Sequence, residues 1–236
     1  MGTKTGNGTR VDEAHTLIRD DIIGCVLEPG QRTSMPELAR RYGIGDAAVR
    51  AAMTRLQQER LVQAIPRGGY LIEPVTLELV EDLNRARLAI EPGAAWLATP
   101  RITGEDLVCL ADLCRQARYR PGDRESIGVY MQANRAFHLL IAGRAGSPRL
   151  VQIAGQLMDA TDRISRFIFM QTDQSEQMAR EHQAIIDALA TGEPERAERA
   201  VRAHAEASVV VETEWVLATL RGQPLRLPSG VGWSGK

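Results

Sequence analysis

At 236 residues the chain is long enough for one large domain or two small ones, and 44% apolar residues supply a core. Only 4% of residues are aromatic while Ala, Leu, Arg and Glu recur throughout, which favours helix over sheet. The net charge of −1 excludes a uniformly basic protein, and no apolar run approaches the ~20 residues of a bilayer span, so no membrane association is expected.

The opening "MGTKTGNGTR" is polar and Gly-rich, and residues 1–10 are expected to form a disordered arm. From 11 to 27, Val11, Ala14, Leu17, Ile18, Ile22, Val26 and Leu27 recur at helical spacing. "EPGQ" ends that helix. In "SMPEL", Ser34 is the N-cap of a short second helix and Glu37 its capping-box partner; this helix runs to Tyr42 and stops at Gly43. A third helix is expected from about Asp46 to Arg60. "LVQAIPRGGYLIEPV" then alternates in period two around a Pro/Gly turn, the pattern of a β-hairpin. Residues 11–75 therefore read as a winged helix-turn-helix.

Beyond residue 76 the pattern turns wholly helical, with helices near 77–99, 103–118, 124–144, 147–171, 174–191 and 194–221. The expected fold is mainly α: an N-terminal winged helix-turn-helix with a small β-hairpin, then an all-α antiparallel helical bundle over 76–222. The Pro- and Gly-rich tail, 223–236, is expected to be flexible, with Trp233 in it. Cys25, Cys109 and Cys114 form no zinc-type pair, and an odd count with no secretory signal points to a reducing, cytoplasmic setting.

The charge is segregated. Between Arg32 and Arg67 stand seven Arg against three acids, whereas from residue 75 onward acids exceed bases. A helix-turn-helix presents its second helix to the major groove. With Val49, Ala52, Met53 and Leu56 facing inward, Asp46, Ala47, Arg50, Ala51 and Thr54 face outward. Arg50 is the foremost base reader, since a guanidinium bonds a guanine edge in bidentate fashion. Arg32, Arg40 and Arg41 are expected to meet phosphates, and Arg67, Gly68 and Gly69 to form the wing tip, where Gly lets the duplex approach. Asp46 has two readings. It either complements the helix dipole and pairs with Arg50 four residues on, or accepts a hydrogen bond from a cytosine amino group.

Three of the four histidines fall in the helical segment. His138 shares a helix face with Asn134, and His182 and His204 lie on inward stripes. They are either three separate core histidines or a metal site built from facing helices.

The run from "LIRDDIIGCVLEPGQ" through "ELARRYGI" and "VRAAMTRLQQERLV" to "RGGYLIEPV" resembles the DNA-binding domain of the GntR family of bacterial transcription regulators. The resemblance covers nearly all of residues 14 to 76. Gly45-Asp46 stands where that family usually has Ser-Arg, so a familiar cap and one DNA-contacting Arg are absent. "RARLAIEPGAAWLA", "NRAFHLLIAGRAGSPRL" and "EHQAIIDALATGEPERAERAVRAHAEAS" resemble the effector-binding FCD domain of the FadR branch, over most of residues 77 to 212. Members with a metal use an Asp and three His, which the resemblance carries to Asn134, His138, His182 and His204. Asn134 in place of Asp removes a charge, so metal binding weakens unless a carboxylate effector restores it. Imidazole-rich ligation suits Zn²⁺ or Ni²⁺ better than Mn²⁺. Arg87 stands where the family has a pocket Arg; it either grips an effector carboxylate or forms a surface salt bridge with Glu91. Trp96, Phe167, Phe169 and Met170 are expected in the core or in a pocket wall, the core being favoured.

The function this implies is a ligand-responsive, homodimeric regulator, a repressor by family tendency, that binds double-stranded operator DNA. Its helical domain senses a small organic acid over a divalent metal. Two rival readings remain: a helical metalloenzyme using the histidine trio, and a DNA-binding protein whose second domain only dimerises.

Overall fold

The computed structural model describes residues 5–66, 68–116 and 118–221, with side chains from Arg10 onward. The chain divides into two compact units after Val75. Arg67 and Trp233 lie outside the described residues.

In the first unit, α1 spans Thr5–Ile23, β1 Arg32–Thr33, α2 Met35–Tyr42, α3 Asp46–Gln58, β2 Val62–Ile65 and β3 Gly69–Ile72. Helix α1 begins at Thr5, inside the segment expected to be an arm, because each added turn of an established helix costs little. It also ends at Ile23, earlier than the apolar spacing implied. Gly24 follows, and Cys25 takes a left-handed φ of 54° that no helix continues. Leu27 is buried, whereas Leu17 and Val26 are exposed, contrary to the expected stripe. Helix α2 begins as anticipated: Ser34 accepts from the Glu37 N–H and the Glu37 side chain accepts from the Ser34 N–H. Gly43, at φ 64°, ends it in the left-handed cap that glycine adopts without Cβ strain.

The sheet has one strand more than the hairpin. The order is β1-β3-β2, all antiparallel, with Thr33 opposite Tyr70 and Val62 opposite Ile72. Two residues of strand leave no periodic signal, which is why β1 escaped the sequence reading. Ala14, Ile18, Leu38, Val49, Met53, Leu56 and Ile72 pack into one apolar core. That core fixes the outward face of α3.

The second unit is built from α4 (Leu77–Ala98), α5 (Gly104–Gln116), α6 (Arg124–Arg144), α7 (Pro148–Phe169), α8 (Ser175–Ala190) and α9 (Pro194–Leu220). Side-chain caps from Thr76, Asp123 and Ser147 start α4, α6 and α7. Helix α4 runs through Pro92 and packs along α9. Leu110, Phe137, Ile141, Ile185, Leu189 and Val201 form the core at one end. No helix among the described residues is long and apolar enough to cross a membrane.

Candidate metal centre and nucleic-acid interface

Helices α6, α8 and α9 each send one histidine to the bundle interior. His138, His182 and His204 are all buried, and their candidate ligand atoms lie within 4.8 Å of one another. The ring centroids are 5.0 to 5.4 Å apart. Two nitrogens on one Zn²⁺ at ~2.0–2.1 Å each stand at most about 4.2 Å apart, so small ring movements suffice to share an ion. Burial, reinforced by the neighbouring His204, pushes the His138 and His182 rings well below the usual imidazole pKa. Neutral rings are what a metal requires.

Neither nitrogen of His182 has a hydrogen-bond partner, and neither does the Asn134 Oδ1. Orphaned buried polar atoms are rare and call for an explanation; a ligated ion supplies one. His204 is oriented from behind, its Nδ1 lying 2.8 Å from Glu181 Oε2. A carboxylate on the far nitrogen fixes the ring and raises its basicity as a ligand. The residues present therefore fit a divalent ion, with His138, His182 and His204 as nitrogen donors and Asn134 beside them.

Arg87 is neither on the surface nor free. It is 2% exposed, with Nε donating to Glu91 Oε1 at 2.8 Å and Nη1 to Glu212 Oε1 at 3.4 Å. Glu212 also accepts from Asn84 Nδ2 at 3.0 Å. The expected pair with Glu91 thus forms, but inside the bundle, and the surface setting is corrected. Burial works against the Arg87 charge, yet the two carboxylates outweigh it and its pKa rises. Burial raises the pKa of Glu212 against the pull of Arg87. Arg87, Asn134, His138, His204, Ser208 and Glu212 line one small cavity. Water-sized spheres have about 20 Å³ for their centres there, room for one water or ion. Phe169 walls the same cavity, and Phe167 stacks on Trp215. Trp96 is 42% exposed and is not core. Glu181, Glu212 and Asn84 were not found by sequence reasoning; the Glu212–Arg87 contact spans 125 residues.

On the first unit, Asp46, Ala47, Arg50 and Thr54 are exposed along one face of α3, above buried Val49, Ala52, Met53 and Leu56. The side chains of Arg50, Arg32 and Arg40, all exposed, make no hydrogen bond or ion pair among the described residues. Arg41 is committed: its Nη2 bonds Asp21 Oδ2 at 3.1 Å. Asp46 and Arg50 form no ion pair, which corrects that expectation and leaves the dipole at the uncapped start of α3 as the local role of Asp46. Thr54 donates its hydroxyl to Arg50 O, leaving only acceptor capacity.

Gly69 has its reason within the protein. At φ 87° a Cβ there would meet Thr33 O at 2.4 Å, so β1 closes on β3 only because residue 69 is glycine. Gly68 is exposed in the turn.

A three-helix winged unit followed by a helical unit with a buried histidine cluster defines a two-part regulator. Residues 6–72 match the gntR family of bacterial regulatory proteins and residues 82–207 the FCD domain. The chain belongs to the GntR family and carries an FCD domain. It is 25% identical over 192 residues to the transcriptional repressor RspR of Escherichia coli, covering 81% of this chain and 84% of that protein. To the repressor GlaR of the same organism it is 26% identical over 200 residues, 81% and 90% covered. Escherichia coli McbR/YncC shares the fold with a TM-score of 0.68 at 22% identity over 90% and 97% of the chains. A Rhodococcus putative GntR regulator does so with 0.70 at 21% over 85% and 96%. The protein is a transcriptional regulator of this family, as are these relatives by name.

Proposed function

We propose that this regulator is a homodimeric repressor of the FadR branch that binds operator DNA through α3, α2 and the wing, and whose helical unit responds to a small organic acid over a divalent metal. The convergence of His138, His182 and His204, with His182 lacking any other partner, carries this reading. DNA contact falls to Arg50 and Thr54 on α3, with Asp46 beside them, to Arg32, Arg40 and Arg41 for phosphates, and to the turn at Arg67, Gly68 and Gly69. The winged unit would span 11–75 and the effector and dimerisation unit 76–222.

A bound Zn²⁺ or Ni²⁺ would supply the positive charge that an acid's carboxylate seeks. Asn134 leaves the donor set without a formal charge, so the acid and the ion each favour the other's binding. Arg87 borders the same cavity, but an acid reaching it must displace Glu212. The cavity must also enlarge to admit one. A ligand that prefers the enlarged form shifts the balance between two arrangements of the protein.

Metal analysis of the purified protein, followed by thermal-shift screening of organic acids, tests this. One ion per chain and an acid that raises Tm only in metal-loaded protein are expected. No metal in His-intact protein, and no response to added metal, would overturn it.

A further inference from the structure

A second concavity lies between α8 and α9 and shares His204 with the histidine cavity. Its volume is about 710 Å³, within the range of small-molecule sites. Its floor is short side chains, among them Ala184, Ala188, Ala200 and Ala203. Its rim carries Arg180 from α8 and Arg196 and Arg199 from α9.

The charges on this rim are uneven in their commitments. Its two acids are occupied: Glu181 is bonded by His204 and by Gln177 Nε2, and Asp187 accepts from Gln183. Arg180 and Arg196 hold only solvent-exposed pairs, with Glu176 at 3.9 Å and Glu193 at 3.4 Å, which contribute little and yield readily. Arg199 is exposed and has no hydrogen bond or ion pair among the described residues. The two rim carboxylates keep their charge, but their oxygens are engaged, and Arg199 stands above the apolar floor with no paired counter-charge among the described residues.

We propose that the α8–α9 groove is a binding site for an organic anion with an apolar body. The floor accepts the body and the guanidinium groups take the carboxylate, sulfonate or phosphoryl head. Its wall includes His204 itself and Glu181, the carboxylate that orients it, so an occupant meets one member of the histidine cluster directly. The proposal does not depend on metal in that cluster.

Fluorescence titration of the full-length protein with anilinonaphthalene sulfonate, an apolar body with one anionic head, is the test. Arg196→Ala/Arg199→Ala and, separately, Ala203→Leu, which fills the floor, are expected to raise Kd about tenfold or more, the scale of a lost charge-assisted bond. Arg202→Ala, on α9 but outside the groove lining and paired with Glu198, leaves Kd unchanged. Far-UV melting confirms that each variant folds, and the exposed arginine pair keeps the test valid if Ala203→Leu does not. Displacement of the dye by phosphate at lower concentration than by citrate assigns a phosphoryl head; the reverse assigns a carboxylate. Equal Kd in wild type and the arginine variant overturns the proposal, as does displacement by neither anion. So does a Kd that rises with protein concentration, which would show a second copy covering the groove.

Discussion

His182 is buried to 1%, stacked on Phe137 at 4.3 Å, and bonded through neither ring nitrogen. A hydrogen-bonded core histidine would use at least one of them. His182→Ala is therefore expected to lower metal affinity by well over the 10–100-fold typical of a lost supporting partner, read by competition with a chromophoric chelator. Fold stability should fall as well, through the cavity the stacked ring leaves, but with no hydrogen bond lost. Glu212 behaves oppositely. Its removal leaves Arg87 buried with one carboxylate, and Glu212→Ala is expected to cost about 3–5 kcal/mol in urea unfolding. A loss under 1 kcal/mol would show that Glu91 alone neutralises Arg87.

At the scale of the element, the proposed DNA contacts gather on α3 and the wing. Arg50→Ala is expected to weaken binding to promoter DNA by about 1–3 kcal/mol and to relax base preference. Asp46→Arg should strengthen binding in general and steepen its salt dependence by about one charge; unchanged affinity in retardation assays would place residue 46 outside the interface. Gly69→Ala forces a Cβ against Thr33 O at a left-handed φ, with an expected loss of about 1–3 kcal/mol in the stability of the first unit. Much of this was legible in the sequence. Ser34 and Glu37 announced their capping box, Gly43 its terminus, and the apolar spacing after residue 46 the buried face of α3. The three histidines were legible as inward, each on its own stripe. Local rules reached the Arg87–Glu91 pair at its four-residue spacing, but not β1, which exists only as a partner of β3, nor Glu212 against Arg87. They also missed Glu181 behind His204. Each of these is a meeting of residues far apart in the chain, and no spacing encodes it.

For the whole molecule, the depressed histidines set a pH dependence. In the unfolded chain His138 and His182 take up protons near pH 6.5, whereas in the fold they resist until well below that. Between those values the unfolded state binds more protons. Their contribution to the stability of the metal-free protein is thus complete above about pH 6.5 and falls as pH drops, by up to about 2.7 kcal/mol per unit for two rings. Urea midpoints taken from pH 7.5 down to 5 should show the decline, and His138→Ala should flatten it. Binding of metal demands the same neutral rings, so metal release is expected in the same direction.

The histidine centre and the DNA-facing helix are proposed to belong to one responsive system. This is tested most directly by retardation of the protein's own promoter DNA with metal-loaded protein, titrated with an acid that raises its Tm. At least a fivefold change in DNA affinity is expected on adding the acid, a coupling of about 1 kcal/mol, and none in His182→Ala. DNA affinity that stays constant in the wild type under saturating metal and acid would contradict it.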